Sequence, residues 1–301
     1  MKSQKDVPLV TIRCLVYNHE PYLRQCLDGF VMQQTTFRFE AIVHDDASTD
    51  GSAAIIREYA AKYPDIIKPI YETENQYSKR DGSLRRIMNA HTHGKYVAMC
   101  EGDDYWIDPS KLQRQVDFME ANIDYSLCFH NAIVLNERIE LKERIKSFCF
   151  FKQSQQISTE LLIEDWCIPT ASVLYRKECR DKLELPRTFS GDYTLELGLA
   201  SVGKVHYIDR YMSVYRLNNG GVSSKISVGK WANQLYGLLE WYDNHTAYQY
   251  HKEIQNRIQE VKRNCRYIAL KDKSYLLPVI CMPKYTLKML RNKLEHISFG
   301  G

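Results

Sequence analysis

The 301-residue chain has no two cysteines at a CxxC spacing, no internal repeat, no low-complexity linker and no long apolar run. Nine cysteines, odd in number and scattered, exclude a disulfide framework, and no zinc-ligand spacing occurs among them. Such a set fits the buried thiols of a reduced cytosolic protein. The longest apolar run near the C-terminus, 275–282, contains Pro278 and falls far short of the roughly 20 residues a membrane helix needs. Residues 1–7 are polar and lack an apolar signal core, so export is not expected. Fourteen glycines and nine prolines exclude a collagen-like or disordered chain. What remains is an ordinary globular composition, long enough for one large domain or one domain with an appendage.

A net charge of +4 argues for little by itself, but its distribution is uneven. Residues 251–301 hold eleven Lys or Arg against Glu253, Glu260, Asp272 and Glu295, a net +7, which leaves about −3 for the first 250 residues.

Apolar periodicity sets the expected element order. Residues 9–18 read as a buried strand ending in a polar turn. Residues 20–33 carry Tyr22, Leu23, Cys26, Leu27, Phe30 and Val31 on one helical face. A second strand is expected at 39–44, a helix at 53–63, a third strand at 66–71, a helix at 83–91 and a strand at 95–100. Strands alternating with helices at this spacing predict an α/β domain with a mostly parallel sheet and helical crossovers. Further on, strands are expected at 125–135, 170–176 and 204–215, the last as one or two strands. A short helix is expected at 193–202. Residues 136–156, polar and charged, read as an excursion from the sheet. From about residue 230 the pattern is helical and basic.

Two acidic stretches fall at strand ends, where open α/β sheets bind ligands. Cys100-Glu101-Gly102-Asp103-Asp104-Tyr105-Trp106 follows the 95–100 strand, with Asp108 expected to cap the next helix and Pro109 to open it. Adjacent carboxylates repel unless something positive joins them, and Mg²⁺ is usually held by one or two carboxylates plus substrate phosphates. A plain polar turn explains the Asp pair alone equally well. The second stretch, 45–51, ends the second strand. Ser48 or Asp50 there suits a helix cap. Asp45 and Asp46 exceed what a cap needs and suit a nucleobase or ribose.

Together, the first strand ending in Tyr17-Asn18, the run Val43-His44-Asp45-Asp46-Ala47-Ser48-Thr49-Asp50-Gly51-Ser52, and Glu101-Gly102-Asp103-Asp104 resemble family-2 glycosyltransferases of the GT-A fold, in residues, order and spacing, across roughly residues 8–220. The resemblance implies a Rossmann-like α/β catalytic domain, here 1–228, followed by a helical basic region, 229–301. It implies a nucleotide-diphospho-sugar donor, a Mn²⁺ or Mg²⁺ ion, and inversion at the anomeric carbon. Carried over by position, Asp46 resembles the acid on the donor base, and backbone around Leu15 and Tyr17 lines that pocket. Asp103 resembles the acid on the ribose or metal side and Asp104 the metal ligand. Asp192 resembles the general base, with Glu196 as the alternative; as a bare residue it suits a helix N-cap equally. Val214-Tyr215-Arg216-Leu217-Asn218 resembles the start of a loop that closes over the diphosphate. Arg216 suits phosphate by its fork geometry, and Asn218 stands where the family often has His.

Other residues point less sharply. Arg80, Arg85 and Arg86 sit where the family often has basic residues near the diphosphate; a charged helix face is the other reading, and the preferred one for Arg85. Tyr105 and Trp106 suit sugar stacking or core filling. His91, His93, His130 and His206 read as structural. The expected acceptor is a hydroxyl on a cell-surface polysaccharide or lipid-linked glycan, and the expected sugar a hexosyl or N-acetylhexosaminyl group from a UDP donor. The basic 284–294 stretch has the pattern of a helix lying on an anionic membrane, which puts the protein in the cytoplasm, peripheral on the inner membrane face. No nucleic-acid motif occurs. Two other readings are a sugar nucleotidyltransferase and a non-catalytic nucleotide-sugar binding module. The first would carry a glycine-rich phosphate loop where this chain has Val16-Tyr17-Asn18-His19-Glu20, and retention of both acid pairs and Asp192 speaks against the second.

Overall fold

The computed structural model describes residues 7–137, 145–186, 188, 191–218 and 228–271. The N-terminal half is a run of parallel crossovers. Strand β1 (Val10–Val16) leads into helix α1 (Glu20–Val31), β2 (Phe39–Asp45), α2 (Ser52–Lys62) and β3 (Ile67–Tyr71). Two short helices follow, α3 (Gln76–Lys79) and α4 (Ser83–Ala90), before β4 (Tyr96–Met99). Pro21 in the first turn of α1, where a missing N–H costs nothing, fixes that helix start, and Leu23, Cys26, Leu27 and Phe30 form its buried face. β1 is buried at Val10, Ile12, Cys14 and Val16 and pairs in parallel with both β2 and β4.

The second half is mixed. It holds β5 (Tyr105–Trp106), α5 (Lys111–Ala121), β6 (Tyr125–Asn136), β7 (Ile145–Ser147), β8 (Gln155–Ile157) and α6 (Thr159–Glu164). Then come β9 (Leu174–Arg176), α7 (Lys177–Asp181), α8 (Gly191–Ala200), β10 (Lys204–Leu217), α9 (Val228–His245) and α10 (His251–Lys271). The described strands join in one ten-stranded sheet whose main path runs β3-β2-β1-β4-β9-β6-β10-β5. β9 is antiparallel to both β4 and β6 and so joins the parallel N-terminal group to the parallel β6–β10 pair.

Several expected boundaries shift. The 170–176 strand is a 3-10 turn, Thr170–Ser172, followed by the shorter β9. The 204–215 segment is one strand with irregular register near Ile208 and Tyr211. The 136–156 excursion returns to the sheet, since β7 pairs with β6 and β8 with β10; residues 138–144 lie outside the described residues. α5 starts at Lys111 with Ser110 as N-cap, and Asp108 instead accepts from the Ser110 backbone N–H at 2.7 Å.

Two hydrophobic clusters form the core. One packs β1, β2 and β4 against α1, α2 and α5. The other packs β6, β9 and β10 against α6 and α8 and also takes Leu238, Leu239 and Tyr242 of α9 and Ile254, Ile258 and Val261 of α10. The first part of the 229–301 region thus packs into the core rather than standing off it. The basic stretch at 284–294 lies outside the described residues. Among those residues, no helix is long and apolar enough to cross a membrane. Among the described residues seven cysteines are free thiols, and the expected burial holds for all but the partly exposed Cys179. The four histidines read as structural have such roles: His91 and His130 bond backbone carbonyls, His93 meets Glu40, and His206 stacks on Phe118.

Candidate active site

Parallel pairing of β1, β2 and β4 brings the turns after all three strands to one edge. Backbone bonds lock them together: Asp46 N–H to the Val16 carbonyl at 2.9 Å and Gly102 N–H to the Leu15 carbonyl at 3.0 Å. Side chains complete the lock. Asn18 N–H donates to Ser48 Oγ at 3.0 Å, and Thr49 N–H donates to Asn18 Oδ1 at 2.8 Å. Asn18 and Ala47 both adopt positive φ, 56° and 62°, a conformation that costs a non-glycine residue roughly 1 kcal/mol or more. Gly102 is required by space, because a Cβ there would come within 2.7 Å of His19 Nδ1.

Asp50 serves two helices at once. Its carboxylate accepts from Ser52 N–H at 3.0 Å and from Glu20 N–H at 3.0 Å, while Glu20 accepts from Gly51 N–H at 2.8 Å. The N-cap of α2 is Gly51, so Asp50, expected as the cap, acts from one residue before it. Ser48 faces Asn18 instead.

Asp46 is buried, and both its oxygens are engaged. They accept the Gln76 N–H at 2.6 Å and the Tyr77 N–H at 3.0 Å, the first amides of α3. The residue expected on the donor base thus also fixes the segment after β3. Leu15 and Tyr17 flank it, Tyr17 with its side chain exposed.

The Glu101–Asp104 turn is held from the far end of the chain. Arg216 on β10 donates its backbone N–H to Asp104 Oδ1 at 2.8 Å and its Nε–H to the Asp103 carbonyl at 2.9 Å. Its two terminal nitrogens donate to Glu137 Oε1 and Gln25 Oε1, both at 2.7 Å, and its guanidinium lies over the rings of Tyr22 and Tyr105. The side chain expected on the diphosphate thus also braces the acidic turn. Asn218 donates to Asp103 Oδ2 at 2.9 Å, so the residue in the place of the family's His acts on the acid pair. Gly220 to Ser223 of that loop lie outside the described residues.

Asp192 faces the same turn from the other half of the molecule. α8 begins at Gly191, which puts Asp192 in its first turn rather than at its N-cap. Thr170 Oγ1 donates to Asp192 Oδ2 at 2.8 Å, and the Tyr193 hydroxyl ties α8 to the Leu162 carbonyl of α6 at 2.7 Å. Electrostatics marks the cluster. Burial, then Asp103, pushes the Asp104 carboxyl well above its ordinary value, against the Arg216 hydrogen bond. Glu101 is open to solvent by surface area yet recessed among protein atoms. Desolvation there, then Asp103 and Asp192, raises it to about 8. The Tyr215 hydroxyl is raised by burial and by the same four carboxyl groups.

The sequence motifs point to Asp103, Asp104 and Asp192 but assign no role to Glu101, Thr170, Glu137 or Gln25. Glu101 was readable as the third acid of its motif; the others are brought in by tertiary contact and leave no local signal. Trp106 is core filling: it is 2% exposed, donates to the Ala171 carbonyl at 2.8 Å and packs edge-on against Phe30. Arg85 reaches the Leu185 carbonyl and Arg86 pairs with Asp81. No three metal-ligating side chains converge among the described residues.

Comparison with known proteins gives the family. The model of glycosyl transferase family 2 matches residues 14–178. An uncharacterised protein of Mycobacterium bovis is 34% identical over 213 residues, covering 71% of this chain and 60% of the relative. The chain thus spans about 60% of the length of that relative. The putative teichuronic acid biosynthesis glycosyltransferase TuaG of Bacillus subtilis is 26% identical over 222 residues, 72% of this chain and 82% of the relative. Among solved structures, S. aureus TarS 1-349 in complex with UDP-GlcNAc superposes with a TM-score of 0.58 at 16% identity, over 77% of this chain and 65% of TarS. The mannosyltransferase PcManGT from Pyrobaculum calidifontis, in complex with GDP-Man and Mn²⁺, gives 0.55 at 18%, over 88% and 76%. At these identities the likeness speaks for the fold, which is the GT-A type expected from the sequence.

Proposed function

The chain belongs to glycosyltransferase family 2, and from that premise we propose that it moves a sugar from a nucleoside diphosphate to a hydroxyl, with inversion at the anomeric carbon. The observation that carries this reading is the approach of two acid groups from opposite halves of the fold. Glu101, Asp103 and Asp104 end a parallel strand on the donor side, and Asp192 opens α8 on the other. An inverting transfer needs both: a negative edge that can take a cation with the diphosphate, and a carboxylate on the opposite face of the sugar.

The residues fit a hard divalent cation. Burial first, then the charge of neighbouring carboxylates, raises Asp104 and Glu101, and a cation relieves the repulsive part. One or two carboxylate oxygens suffice where phosphate oxygens and water supply the rest, so Asp104 and Asp103 would hold Mn²⁺ or Mg²⁺. When bound, the ion neutralises charge on the departing diphosphate. The chain does the remainder. Leu15, Tyr17 and Asp46 border the nucleobase and ribose. Arg216 and Asn218 keep Asp103 and Asp104 in place beneath the phosphates. Asp192, steadied by Thr170, takes the proton of the attacking hydroxyl.

The donor is a UDP-sugar in this reading, which the TarS structure in complex with UDP-GlcNAc supports. The acceptor is a cell-surface polysaccharide or lipid-linked glycan at the cytoplasmic face of the membrane, in line with the relative assigned to teichuronic acid biosynthesis. Binding of the full chain to anionic liposomes, weakening with salt and lost on truncation after residue 271, tests that placement.

A thermal-shift panel of UDP-GlcNAc, UDP-glucose, UDP-galactose and GDP-mannose, each with and without Mn²⁺, tests the donor assignment. A ligand that binds only the native state raises its melting temperature by mass action. The expected result is a Mn²⁺-dependent rise with a UDP-sugar. A rise with GDP-mannose alone overturns the uridine assignment, and no rise with any donor overturns the function.

A further inference from the structure

Behind Asp192, one turn further along α8, lies a carboxyl group that the proposed reaction does not use. Glu196 is 1% exposed, and neither of its side-chain oxygens makes a hydrogen bond. The Trp166 indole Nε1 is likewise buried without a hydrogen bond, and it is the donor that faces Glu196. The surrounding groups give little compensation. Asp192 acts on Glu196 through its charge, Asp165 and Cys167 come from the segment after α6, and Tyr193 from α8 itself. Arg257 of α10, a cation that acts on Tyr193 among the described residues, pairs with Glu260 at 3.1 Å. An ionised carboxylate buried without a cation or a hydrogen bond carries a desolvation penalty that a proton removes.

We propose that Glu196 is the positioning residue of the acceptor side: an uncharged carboxylic acid that faces the Trp166 indole, seats the first turn of α8 against the 165–170 segment, and so aims Asp192 without adding negative charge behind it. The proposal rests on Asp192 being the base. Thr170, which donates to Asp192, belongs to the same segment as Trp166, so one packing contact sets both the residue and its hydrogen-bond donor. Burial, then the charge of Asp192, raises the Glu196 carboxyl well above its ordinary value, while Trp166 opposes the shift. Because the folded state holds this proton to higher pH than the unfolded chain, Glu196 lowers stability progressively as pH rises above the ordinary carboxyl range.

Two measurements test this, one of them independent of activity. Melting temperatures of wild type and Glu196→Gln are compared from pH 5 to pH 8. The variant should gain relative to wild type as pH rises, because the amide stays neutral. A variant that loses relative to wild type as pH rises would mean an ionised, stabilised Glu196 and overturns the proposal. The second measurement is turnover of the donor giving the largest shift among UDP-GlcNAc, UDP-glucose, UDP-galactose and GDP-mannose. Glu196→Gln should cost less than tenfold in kcat and Glu196→Leu about tenfold or more, both with donor KM within twofold; Trp166→Phe, which deletes the indole N–H, should resemble Glu196→Leu. A Glu196→Leu enzyme with wild-type kcat and pH profile makes Glu196 a filler and overturns the proposal. Should Glu196→Leu fail to fold, Trp166→Phe with wild-type kcat overturns it instead. A Glu196→Gln loss beyond a hundredfold beside an active Asp192→Asn makes Glu196 the base, which refutes the Asp192 reading separately.

Discussion

Asp104 and Arg216 stand 112 residues apart in sequence, and the Arg216 backbone N–H donates to Asp104 Oδ1 at 2.8 Å. The bond joins the turn after a parallel strand to the last long strand of the sheet, so the acidic edge is built by both halves of the fold. Asp104→Asn keeps an oxygen that can accept from Arg216, and the fold should survive. The charge that attracts a cation is lost. The variant should retain binding of free UDP while the additional melting-temperature rise given by Mn²⁺ with the nucleotide sugar disappears. An undiminished Mn²⁺ increment would remove Asp104 from the metal site.

How far this arrangement was legible in the sequence depends on the range of each contact. Strand β1 and helices α1 and α2 announce themselves by periodicity, and the acids at 45–46 and 103–104 fall where parallel strands end. The roles of Arg216 and Asn218 were not legible in the same way. A guanidinium chooses its partners by three-dimensional proximity, and Gln25, Asp103 and Glu137 are scattered along the chain. A local motif suggests phosphate; the bonds to the acidic turn come only with tertiary packing. The second half was hardest to read because β5, β7, β8 and β9 are two or three residues long, too short for alternation to declare itself.

Arg216 itself yields a second expectation. Its guanidinium bonds three separate acceptors and stacks near two tyrosines, a geometry that one ammonium cannot reproduce. Arg216→Met should destabilise the protein by about 2–4 kcal/mol, because Glu137 and the Asp103 carbonyl lose their donors. Arg216→Lys should recover less than half of that loss. Denaturant unfolding of the three proteins measures it, and full recovery by Lys would show that charge alone matters at this position.

Lys111 offers a test of the core beneath the site. It is fully buried, bonded to Gln115 at 2.7 Å and 4.0 Å from the Trp106 ring centre. Burial pushes its pKa down to about 7, while Cys100 and Cys128 act weakly the other way. The unfolded chain therefore binds the proton between about pH 7 and the ordinary lysine value near 10.4, where the folded chain has released it. Stability should rise with pH across that window, and the penalty of the buried charge is complete below it. Lys111→Met, which fills a similar volume, should stabilise by about 1–4 kcal/mol at pH 7 and below. The advantage should shrink as pH approaches 10. A difference that does not vary with pH would mean that Lys111 is charged, or neutral, throughout.

The reaction itself turns on Asp192. It sits in the first turn of α8 and accepts from Thr170 at 2.8 Å, facing the acidic turn whose Glu101 responds to its charge. Asp192→Asn preserves size and can still accept the Thr170 hydroxyl, so melting temperature and donor affinity should stay near wild type. The amide cannot take the acceptor's proton. A positioned base is worth about 10²- to 10⁴-fold in rate, and kcat should fall by that factor while donor KM holds. A single displacement attacks the face opposite the leaving diphosphate, so the product anomer should be inverted relative to the donor. Turnover, donor affinity and product stereochemistry measured on the two proteins together decide the matter. Near-normal turnover in Asp192→Asn would assign the base elsewhere, to Glu196 first, and a product that keeps the donor's configuration would replace the single displacement with a two-step route.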